Sequence, residues 1–585
     1  MTKSKKKHES SRDGITQTPW LCATLDRLLA QSPNASQFGF LSSSHSLKYH
    51  SRAQFAGMVS KIACALSEMD VRPGQRIAID ASMSHETCAC WIAALTIGAV
   101  PVFYPVDMRF RDKRAALEQD VGEQQSPLVI VTEDPEQAKL WLEASGLPTP
   151  HIIYIHKKTP SGKTIKDIYD QDASEKLVLF SELSTGSTEP MVPYRVSEDD
   201  PAAYVYTQGS HAQSARRIAI SHNHLRAQAE DLQTKLSITQ DSHLYIDLYS
   251  PHAVSLIIAA TAILSGASLL IQPPHLPADM IYTKAGKITH CFLLPHTIQG
   301  IIDRIKSEHG EHWNQLVIRL AKFRNRNTHK WFKWPGAAID KFLINPIKDK
   351  YFPSLSAVVS YGNHFDAKAA DLLTWLNIPV YNAFTIGELG FVHLHRFNGQ
   401  GGFLKSIEAR IKSGILSVKS SRLSTPYIQT GDFVFEDDRC GLCAHRSSLV
   451  ALSNDDSVDA SPMRDILKRN DLIEEIYIYG ENRPFLTALI YINETALLKW
   501  ASDNHIDNYS FESLTQNEQF YTYIRNIVDN CNNTRAARES IQKIAILNRS
   551  LSKDPHILSP CGLTRFKEIE RRYQAMLESF YQSDF

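Results

Sequence analysis

Thr430-Gly431-Asp432 sets a carboxylate in a short turn at the end of an extended segment, Thr425 to Gln429. An acidic patch follows at Glu436, Asp437 and Asp438, and then the pair His445-Arg446. The residues before this stretch read as a large α/β body, and those after it as a small α+β module. A carboxylate that closes a body and an arginine that opens a module can grip one polar ligand from both sides of a joint. Thr-Gly-Asp on its own is a common turn, so its meaning depends on residues and elements elsewhere.

The chain has 585 residues, too many for one hydrophobic core, so two or more domains are expected. Hydrophobic residues make up 43% and charged residues 22%, the balance of a soluble globular protein. Lys+Arg and Asp+Glu both number 63, so no global field attracts nucleic acid or an anionic membrane. The basic start (Lys3, Lys5, Lys6, Lys7, then a Ser-rich stretch) reads as a disordered tail with at most a peripheral membrane contact. No apolar core follows those lysines, so a secretory signal is not expected. Cys440 and Cys443 form a lone CxxC, and Cys88 and Cys90 lie in an apolar run. Reduced thiols in a cytoplasmic protein are the expectation.

Strands and helices alternate: Ile77 to Asp80, Thr87 to Gly98, Ala99 to Tyr104, Leu128 to Thr132, Pro135 to Ala144 and Ile152 to Ile155. Such βαβ units predict a parallel sheet. Ala253 to Ile271 is long enough to cross a membrane, but Ser255, Thr261, Ser265, Gly266 and Ser268 interrupt it. It reads as a helix that stops at Ser-Gly, followed by a strand. The basic, aromatic segment Thr328 to Tyr351 reads as a solvated helix and not as a nucleic-acid surface. Pro379 to Ala383 reads as a strand that enters a loop at Phe384. No internal repeat is visible.

Thr207-Gln208-Gly209-Ser210, followed by Ser221-His222-Asn223-His224-Leu225, resembles the phosphate loop of the AMP-forming acyl/aryl-CoA synthetase superfamily. Ser360-Tyr361-Gly362 and Asn382-Ala383-Phe384-Thr385-Ile386-Gly387-Glu388 are similar to its adenine and aromatic-plus-Thr-Glu motifs. Thr430-Gly431-Asp432 and Arg446 match its ribose clamp. Gly480 to Ile490 is very close to the long-chain fatty acyl-CoA synthetases, and Leu558-Ser559-Pro560 with Tyr573 fits their C-terminal motif.

The resemblance implies an α/β fold with a large multi-sheet N-terminal adenylate-forming body and a small mobile α+β C-terminal domain. Residues 1–15 are then a disordered tail, 16–432 the AMP-binding body, 433–448 a hinge and 449–585 the C-terminal cap domain. It implies ATP and Mg²⁺ as cofactors: a fatty acid carboxylate joins the α-phosphate of ATP, pyrophosphate leaves, and the acyl group passes to CoA or an acyl carrier protein. Thr207, Gly209 and Ser210 are implied to wrap pyrophosphate with hydroxyls and backbone N–H groups. Glu388 is the Mg²⁺-associated carboxylate. Gly362 lies in the adenine motif, and Phe384 stacks on adenine, which needs a ring and no hydroxyl. Asp432 accepts both ribose hydroxyls, and Arg446 adds a hydroxyl or phosphate contact. His252 lines the acyl and nucleotide cleft, and His222 matches the family's Ser-His pair.

Several positions depart from the pattern. Gln213-Ser214-Ala215-Arg216-Arg217 stands where the family has Gly, Pro and Lys-Gly, in a loop one residue longer. Arginine does not take the positive φ that glycine takes freely, but the guanidinium of Arg216 or Arg217 can meet phosphate bidentately. Gly387 replaces a Thr and removes one α-phosphate hydrogen bond, worth about 0.5–1.5 kcal/mol. His445 stands for a Gly and Ser448 for the family's hinge residue. The sharpest departure is Leu563, in the place of a lysine that faces the α-phosphate. Arg565 is two residues on and shares a strand face with that position, with Lys567 one step farther.

Two classes of function follow. One is an active long-chain fatty acid–CoA ligase or acyl-adenylate synthetase, with Arg565 as the substitute cation; a variant of it loads a carrier protein. The other is a catalytically impaired paralogue that binds nucleotide, an acyl ligand or a protein partner. Chain length of the acid is not legible, because an acyl tunnel is lined by generic apolar residues.

Overall fold

The computed structural model describes residues 16–41, 47–106, 108, 110–121, 128–144, 150–156, 177–183, 191–207, 216–247, 250–271, 287–309, 344–362, 367–412, 415–422, 426–437, 441–443, 449–453, 457–506, 510–533, 540–551, 557 and 566–582. Strands β1 (Ser36–Leu41) and β2 (Leu47–Ser51) pair antiparallel. Ser51 then starts the helix Arg52–Glu68 through a reciprocal capping box with Gln54.

The βαβ alternation builds a seven-stranded sheet from β3 (Arg76–Asp80), β4 (Val100–Phe103), β5 (Val129–Thr132), β6 (His151–Tyr154), β7 (Leu177–Leu179), β8 (Pro201–Thr207) and β9 (Arg216–Ser221). Its order is β7-β6-β5-β3-β4-β8-β9, and only β9 runs antiparallel. A second sheet takes β10 (His243–Ile246), β11 (Ser268–Ile271), β12 (His290–Leu293), β13 (Ala357–Tyr361), β14 (Val380–Ile386), β15 (Gly390–Arg396) and β16 (Gly401–Phe403). Its order is β16-β15-β14-β13-β12-β10-β11-β1-β2, parallel from β1 through β14. Strands such as β5 and β12 are buried along their length, as expected when both faces of a parallel sheet are covered. One core joins the inner faces of both sheets through the helices His85–Thr96, His222–Leu236 and Ala253–Ser265. Separate clusters cover the outer faces.

The helix Ala253–Ser265 ends at Gly266, which takes the left-handed conformation at φ +70, and β11 follows. That is the split expected for the apolar run. Among the described residues no helix is long and apolar enough to cross a membrane.

A third, antiparallel sheet holds β17 (Ile407–Lys412), β18 (Ile415–Ser420) and β19 (Ile428–Phe433). Thr430-Gly431-Asp432 is therefore not a short turn but part of β19. The register steps from Ser417↔Gln429 to Ile415↔Phe433, so three residues of β19 face Leu416 alone. A bulge of this kind kinks a strand and re-aims its residues.

The hairpin β20 (Phe435–Asp437) and β21 (Gly441–Cys443) follows, while Val434 still packs in the body's core. Beyond it, β22 (Leu449–Ala451) pairs with β23 (Ser457–Asp459). Strands β24 (Ile473–Tyr479), β25 (Leu486–Ile492) and β26 (Ile541–Leu547) make a small sheet of their own. This sheet shares no strand with the body, and the helix Glu518–Asn532 packs its apolar face, Phe520, Ile524 and Val528, into the small domain's core. The architecture is thus α/β: a large body of several sheets and a small C-terminal domain.

Two further expectations are corrected. Strand β14 runs on through Phe384, and the chain turns only at Gly387-Glu388-Leu389. Lys567 lies in the helix Phe566–Arg572 and not on a strand, so strand spacing cannot be extended to it. Residues 1–15, Cys440 and most of Thr328 to Tyr351 lie outside the described residues. The last part of that segment is the helix Asn345–Tyr351. Cys22, Cys88, Cys90 and Cys291 are buried thiols outside any disulfide, and burial pushes Cys22 up to about 12.

Candidate active site

The two parallel sheets repeat one topology. From β3 the chain steps through a helix to β4 on one side, and β5 then lies on the other. From β10 it steps through Ala253–Ser265 to β11, and β12 then lies on the opposite side. In open α/β sheets a ligand crevice forms outside the carboxyl ends of the strands where the order reverses. An aspartate follows or ends the strand at each reversal. Asp80 is neutralised: Lys113 Nζ lies 2.6 Å from Oδ1, and Trp141 Nε1 donates to Oδ2 at 2.9 Å. That reversal is filled by a buried ion pair. The carboxyl edges of the two sheets meet where Val106 N–H, just past β4, donates to Ser250 Oγ, just past β10, at 3.3 Å.

Asp247, at the second reversal, escaped the sequence reading. Its Oδ2 accepts the Leu294 N–H at 2.8 Å and its Oδ1 accepts the Tyr361 hydroxyl at 3.0 Å. One carboxylate thereby ties the ends of β10, β12 and β13. Burial raises its pKa from 3.8 to about 6, against the hydrogen bonds of Thr297, Leu294 and Tyr361. The only sequence signal was an acidic residue straight after an apolar strand.

The folded protein holds this proton up to about pH 6, whereas the unfolded chain releases it near 3.8. Asp247 therefore contributes stability that is complete below pH 3.8 and is lost as pH rises through 6. His50, His222 and His393, each lowered to about 4 chiefly by burial, act with the opposite sign. The contribution is read as a difference. Asp247→Asn keeps an acceptor for Leu294, and its stability relative to the parent should rise between pH 4 and 6.5 in chemical denaturation. A difference flat with pH counts against a buried, protonated Asp247.

Around this floor the structure places several of the expected residues. Gly362 follows β13 at φ +94, a conformation suited to glycine. Thr207 ends β8 and Arg216 begins β9, and the two are cross-strand partners at the foot of the expected phosphate loop. Gly209 and Ser210, within that loop, lie outside the described residues. Arg217 is engaged elsewhere, its guanidinium 5.0 Å from the Tyr204 ring centre. His252 precedes the helix Ala253–Ser265, half-buried, and its backbone N–H donates to Ser255 Oγ at 2.9 Å. His222 is a core residue: its carbonyl accepts Trp20 Nε1 at 3.0 Å, and burial keeps its ring neutral.

Glu388 is half-buried at the tip of the β14–β15 hairpin, and no ion pair among the described residues claims its carboxylate. The hairpin presses on the helix Ala253–Ser265 at Gly390, where φ is +80 and an added Cβ would fall 2.1 Å from Ile257 Cδ1. Phe384 is only 8% exposed and belongs to the body's core, so little of its side chain reaches the surface. Asp432 lies in the β19 bulge, away from the parallel sheets' own strands. Arg446 and Arg565 fall outside the described residues, as does Leu563.

The AMP-binding enzyme family matches residues 26–409, and the AMP-binding enzyme C-terminal domain matches residues 447–584. This chain belongs to the AMP-binding enzyme family. Its curated relatives include the long-chain-fatty-acid–CoA ligase FadD15 of Mycobacterium bovis, 19% identical over 91% of this chain and 92% of that protein. The same-named ligase of Mycobacterium tuberculosis is 18% identical over the same shares. Among solved structures, the adenylation domain of a carboxylate reductase from Mycobacterium chelonae superimposes with a TM-score of 0.69 at 13% identity, covering 98% of this chain and 92% of that one. O-succinylbenzoate coenzyme A synthetase from Bacillus subtilis, solved with AMP, gives 0.64 at 12% identity, covering 95% and 98%. These structural likenesses establish the shared fold of this AMP-binding enzyme family member.

Proposed function

We propose that this protein activates a long-chain fatty acid with ATP through an acyl-adenylate and passes the acyl group to CoA. The observation that carries the reading is the common carboxyl edge of the two parallel sheets in a chain of this family. The foot of the phosphate loop, Gly362 and the Glu388 turn all follow strands that end there. Thr207, Gly209, Ser210 and Arg216 hold the pyrophosphate, Gly362 and Phe384 meet adenine, and Asp432 and Arg446 grip ribose. His252 lines the acyl side, and the chain works in the cytoplasm.

Mg²⁺ fits Glu388 on chemical grounds. Mg²⁺ is usually held by one or two carboxylates plus substrate phosphates. Glu388 is one such carboxylate with no competing ion pair among the described residues, which also hold no group of three metal-ligating side chains. The ion would therefore arrive with the nucleotide and offset phosphate charge. The chain's own residues orient the acid carboxylate toward the α-phosphate, which is where most of the rate enhancement of such a transfer arises.

The second reading, a nucleotide-binding protein without adenylation chemistry, is favoured by Leu563 in the lysine's place. Both readings need the nucleotide cleft. Asp432→Ala should weaken AMP binding in calorimetry by about 1–3 kcal/mol, the cost of leaving polar groups unpaired. Equal binding by parent and variant would place the nucleotide elsewhere or nowhere.

A further inference from the structure

The helix Ser221 opens, His222–Leu236, carries a buried polar stripe at His224, Gln228 and Asp231. Spacings of four and three put these residues on one helix face. An apolar face would suffice to pack a helix, so a buried polar stripe calls for partners. Each of the three has them, and the partners lie on the segments that carry the candidate site.

His224 Nε2 lies 2.9 Å from the carbonyl of Leu389, the residue after Glu388. A carbonyl only accepts, so Nε2 carries the proton. Nδ1 is then free to accept from the Ser420 hydroxyl at 2.9 Å. Ser420 closes β18, the strand paired with β19 and hence with the segment of Asp432. Gln228 donates to the Phe391 carbonyl at 2.9 Å and to Ser406 Oγ at 2.7 Å, and it accepts the Phe391 N–H at 3.0 Å. Asp231 accepts the Ser406 N–H at 2.7 Å, just before β17. Ser421 N–H in turn donates to the Ser406 carbonyl at 2.8 Å. At its own start the helix continues β9, with the His224 N–H donating to Ser221 Oγ at 3.2 Å.

We propose that His224 is a positioning residue that indexes the Glu388 turn and the Asp432-bearing sheet to the strand leaving the phosphate loop. The inference rests on the nucleotide-cleft reading above and adds the part that sets its geometry. Neither Glu388 nor Asp432 is placed by the parallel sheets alone: one is on a hairpin tip, the other on a bulge of a separate sheet. The imidazole is 2% exposed and joins both through one ring. It touches no substrate and acts through Leu389 and Ser420.

The test compares His224→Phe with His290→Phe. His290 is an equivalent buried bridge at the other end of the same helix, with Nε2 3.0 Å from the Leu236 carbonyl and Nδ1 2.8 Å from Thr289 Oγ1. It lies at the amino end of β12, away from the carboxyl edge. AMP affinity by calorimetry and amide exchange over residues 387–391 and 428–433 are measured on both. His224→Phe should lose about a hundredfold in AMP affinity, the scale of a displaced binding group, and protection in both segments. His290→Phe should lower the melting temperature comparably and keep AMP affinity. His224→Gln, which retains a donor and an acceptor, should recover most of the affinity. If His224→Phe does not fold, Ser420→Ala decides: it should reduce protection over 428–433 and leave 387–391 intact. AMP binding unchanged in His224→Phe, equal loss in His290→Phe, or no segment selectivity in Ser420→Ala overturns the proposal. A parent protein that does not bind AMP instead overturns the nucleotide-cleft reading on which it stands.

Discussion

Glu388→Gln is expected to lower ATP–pyrophosphate exchange by about 10²–10³, the range seen when one preorganised charged group is removed from a developing transition state. The substitution keeps the side chain's size and removes only its charge. The carboxylate stands at a hairpin tip, half-buried, with no ion pair among the described residues that its loss would orphan. The melting temperature should therefore stay close to the parent's. AMP lacks the pyrophosphate whose charge Mg²⁺ would offset, so AMP affinity should also hold. Raising Mg²⁺ should recover part of the exchange by mass action, because the variant weakens an ion's hold without deleting its phosphate ligands. A variant that exchanges as fast as the parent would remove Glu388 from the metal role. One that loses AMP affinity as well would recast it as a residue that shapes the cleft.

The second large effect concerns the missing lysine. If Arg565 supplies the charge that Leu563 cannot, Arg565→Ala should cut exchange by about 10²–10³. Lys567→Ala is the control: Lys567 lies within a helix that starts at Phe566, so strand spacing does not reach it. Its removal should change exchange little. Activity that survives Arg565→Ala rejects the substitute cation. In the impaired reading, Leu563→Lys alone should not create exchange, because Arg216 and its neighbours also replace the family's loop glycines. Exchange gained by Leu563→Lys alone would show that the loop is competent and that one cation was the deficit.

How much of this was legible in the chain differs from place to place. The βαβ alternation was readable because its strands are short apolar runs between good turn residues, and each appears within a residue or two of its expected place. The stop at Gly266 was readable because glycine is the residue a left-handed helix cap favours. The repeat of one topology in two sheets was not, since a topology is a pattern of strand neighbours and leaves no residue-level period. Thr430-Gly431-Asp432 misled because turn-forming residues also make bulges, and only the pairing of β18 with β19 distinguishes them. Phe384 reads as a loop start in the sequence alone, yet the antiparallel partner β15 carries the strand onward. Asp247 and His224 were missed because a buried carboxylate and a buried imidazole are defined by partners far away in sequence. For Asp247 these are Leu294 and Tyr361; for His224, Leu389 and Ser420. Family resemblance names candidates for touching ligand, and the fold shows the distant partners, such as Leu389 and Ser420, that hold a residue like His224 in place.

ATP–pyrophosphate exchange by the unmodified protein, run with Mg²⁺ across a series of fatty acids of increasing chain length, tests the central proposal most directly. Acid-dependent exchange that rises toward the longer chains is the predicted result. No exchange with any acid, from protein that binds AMP, would contradict it and leave a nucleotide-binding relative that has lost the chemistry.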